Sequence, residues 1–138
     1  HLAWKPVRRD IIVTERAVKP KAHKRGRHMI RRVSILTRKP ELTHEEFVDH
    51  WENVHGPLAH KVPRIRRYVQ SHITGQHFRP DIPAQIDDVD GIAELWYDSL
   101  EDLEASSASP EAKALYADGA LIIGRIRTFI IDEKEIIG

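Results

Sequence analysis

The feature that most restricts this chain is an order of element signals that occurs in two similar halves. From residue 30 onward, a strand gives way to a helix and then to a strand, and the progression repeats. Ile30–Thr37 has the length and β-branched content of a strand, and Lys39–Pro40 ends it. Ile65–Ile73 alternates, with Tyr68, Gln70 and His72 on one side and Val69, Ser71 and Ile73 on the other. Gly91–Tyr97 alternates in the same way, dividing Ile92, Glu94 and Trp96 from Ala93, Leu95 and Tyr97. Arg125–Ile131 supplies a fourth strand, and His77–Asp88, with Pro80 and Pro83, reads as a loop.

Helices fill the two remaining gaps. Thr43 with Glu46 three residues later is a capping box, and Leu42 and Phe47 bracket it as a hydrophobic staple. Phe47, Val48, Trp51, Val54 and Leu58 then share one face, and Gly56–Pro57 predicts a break or kink, because a residue before proline avoids helical angles. Ser99, with Asp102 three residues on, caps a short helix, and Ser109–Pro110 opens another that runs towards Asp118–Gly119. Strand, helix, strand, strand, helix, strand predicts an α+β, ferredoxin-like βαββαβ domain over residues 29–138.

Residues 1–28 stand apart. They carry nine Lys/Arg against two acids, a net +7, whereas the rest of the chain sums to −6. Only Asp10–Thr14 looks like a strand, at most an edge strand. This basic N-terminal arm has three readings: a nucleic-acid arm, a segment packed on the domain or on a partner subunit, or a leader upstream of a start at Met29, the single methionine. With little aromatic interleaving beyond Trp4, nucleic acid is the weakest of the three. The absence of cysteine excludes disulfides, thiolate nucleophiles and cysteine-ligated metals. A chain without cysteine gives no hint of an oxidising compartment, so a cytoplasmic address is the expectation; no apolar run is long enough to span a bilayer, so no membrane partner is expected.

The chemistry-bearing residues cluster. Six of nine histidines lie between His44 and His77. His55 falls on the apolar face of the first helix, directly before the predicted break, where free carbonyls would favour the imidazolium. It reads either as a proton-transfer group or as a helix cap with no catalytic role. His72, Tyr68 and Gln70, taken with Glu94 and Trp96 on the neighbouring strand, form a polar set on an otherwise apolar wall. That set suits a small aromatic or cyclic ligand, or alternatively an interface or a solvated sheet face. Glu94, flanked by Leu95 and Trp96, needs a partner or a raised pKa. The spacings of His44, His50, His55 and His60 include no i, i+4 pair, so no metal site is predicted. GxGxxG, Walker A, GxSxG and HExxH motifs are absent, which removes the best signals for nucleotide binding and serine hydrolysis. Arg64, Arg66 and Arg67 form a local basic patch, either a lure for an anionic substrate or a solvated strand end. A four-stranded sheet with both helices on one face leaves its other face bare, and Trp96, Ile92 and Tyr68 there predict a homodimer packed sheet to sheet.

Three motifs in order carry a resemblance. Lys39-Pro-Glu-Leu-Thr-His-Glu-Glu-Phe-Val-Asp-His-Trp-Glu-Asn-Val-His-Gly-Pro-Leu-Ala, Tyr68-Val-Gln-Ser-His72 and Asp90-Gly-Ile-Ala-Glu-Leu-Trp together resemble the EthD family over about residues 30–135, with Ser71 in place of the more usual Asn. The resemblance implies a dimeric α/β-barrel. Its wider superfamily includes muconolactone isomerases, polyketide cyclases, cofactor-free monooxygenases and some fungal decarboxylases. By position it implies that His55, Trp51, Tyr68, Gln70, His72 and Glu94 line a cavity. The expectation is a cofactor-independent isomerase, decarboxylase or related lyase of aromatic catabolism. His55 would be the general acid/base, and His72, Tyr68 or Glu94 would orient substrate or move the second proton. Trp51 and Trp96 would be apolar walls, with Gln70 binding substrate. The alternative is a protein that holds a small hydrophobic molecule without turning it over.

Overall fold

Four strands, β1 (Ile30–Arg38), β2 (Arg67–His72), β3 (Gly91–Tyr97) and β4 (Ile123–Ile131), form one sheet in the order β2-β3-β1-β4, with every neighbouring pair antiparallel. The computed structural model describes residues 29–138; the basic arm and its candidate edge strand lie outside the described residues. Between β1 and β2 runs a composite helix: α1 (His44–His50), a π-helical turn (Trp51–His55), α2 (Gly56–Leu58) and a 3-10 turn (Ala59–Lys61). Between β3 and β4 lie α3 (Leu100–Ser107) and α4 (Pro110–Gly119). This is the ferredoxin-like α+β arrangement that the element order predicts.

The caps form as their residues dictate. The Thr43 hydroxyl accepts from the Glu46 N–H at 3.1 Å while Glu46 Oε1 accepts from the Thr43 N–H at 2.8 Å. Ser99 and Ser109 cap α3 and α4 by accepting from the N–H groups of Asp102 and Ala112. Beneath the helices, Leu36, Phe47, Trp51, Ala93 and Ile122 make one cluster; Ile30, Leu95, Tyr97 and Leu103 a second; Ala59, Val62, Ala112 and Leu115 a third. Tyr68 packs against all three.

Two expectations are corrected. The first concerns faces. Tyr68 pairs with Leu95, Gln70 with Ala93 and His72 with Gly91. Directly paired residues share a face, so the Tyr68 side of β2 joins the buried, helix-covered side of β3. Glu94 and Trp96 lie on the opposite face, with Arg67 and Val69 as their partners. Alternation fixes the two faces within each strand, but only the register fixes which faces combine, and a one-residue slip exchanges them. On that opposite face Glu94 is 3.3 Å from the Arg31 guanidinium, and Trp96 lies between the guanidinium groups of Arg31 and Arg67, at 5.5 and 4.6 Å from its ring centroid.

The second correction concerns the first helix, which does not end before Pro57. The Gly56 N–H reaches back five residues to the Trp51 carbonyl, and helical geometry continues through Ala59. The widened turn relieves the clash between the Pro57 ring and the carbonyl one turn back, so the chain bulges rather than breaks. His55 is consequently inside the helix, at φ −70°, ψ −49°, and does not cap free carbonyls.

Candidate active site

A cavity of about 400 Å³ lies between the helix-covered face of the sheet and the helices. Strand β1 contributes Arg32, Ser34 and Leu36, and β3 contributes Ala93 and Leu95. Tyr68 comes from β2, Trp51 and His55 from the π-helical turn, and Leu115 and Gly119 from α4. Tyr116 and Ile126, both exposed, also line it and stand at its rim. Most of this wall is hydrocarbon; the polar groups are few and distinct in kind.

His55 is the best-defined of them. Its ring is buried, and its Nδ1 lies 2.9 Å from Asp118 Oδ2. Asp118 also receives His50, whose Nε2 is 3.1 and 3.2 Å from the two carboxylate oxygens. One carboxylate therefore holds two imidazoles. Because Asp118 accepts, the His55 proton sits on Nδ1, and the Nε2 lone pair is the one left for a ligand. Burial lowers the His55 pKa below its ordinary value; the hydrogen bond and charge of Asp118 pull it back up, and His50 adds to the lowering. The environment thus favours neutral imidazole, the form that accepts a proton. Helix α4 delivers Gly119 directly against the ring, where a Cβ would stand 3.2 Å from His55 Cε1.

Tyr68 is the second group. Gln70 Nε2 donates to its hydroxyl oxygen at 2.8 Å and to the Trp51 carbonyl at 2.7 Å, so one amide ties strand β2 to the π-helical turn. Burial raises the Tyr68 pKa, against hydrogen bonds from Gln70 and Trp51 that lower it. The phenol keeps its proton and has it free to donate. His72 completes a chain, its Nε2 3.0 Å from Gln70 Oε1 and its ring stacked on Trp51 at 5.0 Å. Gln70 and His72 support the wall from behind and do not line the cavity.

Of the residues singled out from sequence, then, His55, Trp51 and Tyr68 meet at the cavity, Gln70 and His72 stand behind it, and Glu94 and Trp96 are across the sheet. Arg64 and Arg66 are paired with Asp102 and Asp98, and Arg67 lies over Trp96, so that patch is spent on structure. Sequence reasoning missed Asp118 and Arg32. Asp118 had one signal: a carboxylate in the last turn of a helix opposes the macrodipole, so its reason must lie in tertiary partners. Arg32 had none, because only the register turns it to the helix side. Among the described residues no group of three or more His, Asp or Glu is placed to hold a metal ion, and no helix is long and apolar enough to cross a membrane.

Known proteins resemble this chain in sequence and in fold. The chain is 26% identical over 106 residues, 76% of its length and 98% of the relative's, to 4-carboxymethyl-4-methylbutenolide mutase of Pseudomonas reinekei. It matches the crystal structure of an EthD family protein from Bacillus halodurans at TM-score 0.62 and 25% identity, covering 78% of this chain and all of that one. A dimeric protein of ferredoxin-like fold from Bacteroides fragilis matches at TM-score 0.53 and 15% identity, over 76% of this chain and 96% of that one. The EthD domain model matches residues 39–125, a span that begins just after β1, takes in the π-helical turn, β2, β3, α3 and α4, and ends in β4. That span is more than half of the chain, and the chain belongs to the EthD family.

Proposed function

We propose that this protein is a cofactor-independent enzyme that moves protons on a small aromatic or cyclic substrate, as an isomerase or lyase of catabolism in the cytoplasm. The observation that carries the reading is the His55–Asp118 contact of 2.9 Å at the wall of an apolar cavity. Neutral His55 takes a proton from a C–H next to a carbonyl through Nε2, and Asp118 stabilises the imidazolium that results. The Tyr68 hydroxyl donates to the oxygen that gains charge as that proton leaves. Returning the proton to a different carbon completes an isomerisation; expelling a leaving group from the neighbouring carbon completes an elimination. Trp51 and the aliphatic side chains exclude water while the charge is transient. The mutase relative, an isomerase by its name, supports this class of chemistry. A homodimer formed through the bare face of the sheet is part of the same reading.

The test is a turnover screen of small cyclic and aromatic acids and lactones with wild type and His55→Ala. A compound consumed by wild type, and bound but not consumed by the variant, supports the assignment. Compounds that stabilise both proteins equally with no turnover by either would leave a binding protein instead.

A further inference from the structure

We propose that Arg32 is a carboxylate-binding subsite, so that the substrate of the His55 site is a small cyclic or aromatic carboxylic acid. The proposal rests on the His55 cavity being the substrate site. It begins from how the arginines of the described residues are used. Arg31, Arg38, Arg64, Arg66, Arg79 and Arg125 each lie within 4 Å of a carboxylate. Arg67 and Arg127 lie over the rings of Trp96 and Phe129. Arg32 also lies over a ring, that of Tyr97, but it is the one of these arginines that lines the His55 cavity. It has no carboxylate partner among the described residues, and its two side-chain hydrogen bonds go to neutral hydroxyls, Ser107 Oγ at 3.1 Å and Tyr97 OH at 3.2 Å.

That arrangement is costly without an occupant. A partly buried guanidinium beside Leu95, with no counter-ion among the described residues, loses hydration that hydroxyl groups replace only in part. The same arrangement is well prepared for an anion. Ser107 and Tyr97 hold NH1 and NH2 in place, and each of these nitrogens keeps a second N–H, so donors remain for the oxygens of a carboxylate. Tyr97, 1% exposed, fixes the guanidinium against its ring at 5.6 Å, so little ordering remains to be done when a ligand arrives.

Distance separates the two ends of the cavity. Arg32 and Leu36 are on the same face of β1, four residues apart, or about 13 Å along an extended strand. Trp51 packs against Leu36, which places the π-helical turn and His55 towards that end. The walls between are Ser34, Ala93 and Leu95. A ligand that fills the space has a ring or short apolar body at His55 and Tyr68 and an acid group reaching Arg32. Arg32 acts by binding and register: it sets which carbon stands over His55 Nε2.

Isothermal titration at pH 8, where His55 is neutral, tests the proposal with matched acids and amides. The probes are phenylacetate against phenylacetamide and cyclohexanecarboxylate against its amide. Wild type is expected to prefer the acid by roughly tenfold or more, and the preference should shrink with added salt. Arg32→Gln should lose the preference with the affinity for the amide unchanged. Arg32→Lys, which keeps charge but not the guanidinium donors, should retain a reduced preference and decides the matter if Arg32→Gln does not fold. His55→Ala should retain the preference in full. Equal affinity of wild type for acid and amide, or no binding of either acid at millimolar concentration, overturns the proposal. So does a preference that persists in folded Arg32→Gln or disappears in His55→Ala. Turnover failing while the acid preference stands would refute the catalytic reading alone.

Discussion

Asp118 decides what His55 can do. A buried imidazole without a partner would be neutral and free to rotate; with the carboxylate on Nδ1 its tautomer and ring plane are fixed. The pKa follows from the same contact. Burial lowers it and Asp118 partly restores it, so removing the carboxylate removes the restoring influence. In Asp118→Asn, His55 should titrate at still lower pH than in wild type, read by NMR of the ring protons, and turnover should fall on the order of 100-fold as the tautomer is lost. His50→Gln should move the His55 pKa the other way, since His50 contributes to its lowering. An unchanged His55 titration in Asp118→Asn would show that the carboxylate does not govern the ring. The sign for wild type follows directly. Between the ordinary histidine value of 6.5 and the lower folded value, the folded protein binds fewer protons than the unfolded chain. Stability from this group is therefore full above pH 6.5 and is lost as pH falls through the folded value. The acid limb of a pH–rate profile should likewise lie below 6.5.

At the scale of elements, the π-helical turn presents Trp51 and His55 to the cavity, and β3 receives it by having no side chain at Gly91. A Cβ there would stand 2.4 and 2.7 Å from two atoms of the Trp51 ring, which is 1% exposed and has nowhere to go. Gly91→Ala should cost about 1–3 kcal/mol by urea denaturation and impair ligand binding together with stability. Gly75→Ala, with nothing within 4 Å of the added methyl, should leave both within experimental error. If the two variants denature alike, Trp51 is not held against β3 in solution. This junction also marks where the sequence stopped being readable. Thr43, Glu46, Ser99 and Ser109 announce their helices because caps are local chemistry, and the strands announce themselves by period. His55 and Trp51 were legible as one face of the first helix. The bulge at Trp51–His55 was not, since Pro57 signals a conflict with the helix but not how the chain resolves it. Glu94 was misplaced because its face depends on the β2–β3 register, a non-local quantity. Asp118 and His55 meet across 63 residues of sequence, which no spacing argument reaches.

At the scale of the whole molecule, the register that builds the cavity also decides what the other face of the sheet looks like. Val33, Ile35, Ile92, Trp96 and Phe129 share that face and are each only partly buried, with no helix of the described residues over them. A contiguous apolar surface of this kind is uncommon on a monomer. A second copy could cover it, with roughly 800 Å² per partner being typical of a stable interface. The charges on the face do not prevent this, because Arg31 is already paired with Glu94 and with Glu133 at 3.3 and 3.7 Å, and Arg67 lies over the Trp96 ring. Sedimentation equilibrium should therefore give about twice 15.9 kDa for wild type and a single-chain mass for Ile92→Glu, which puts an uncompensated charge at the centre of the face. The cavity lies on the opposite side of the sheet, so monomeric Ile92→Glu should keep the acid preference of the Arg32 subsite while its melting temperature becomes independent of concentration. A monomeric wild type would refute the dimer. A monomeric variant that also loses the acid preference would mean that the partner subunit shapes the cavity through the sheet, and that the two faces are one functional unit.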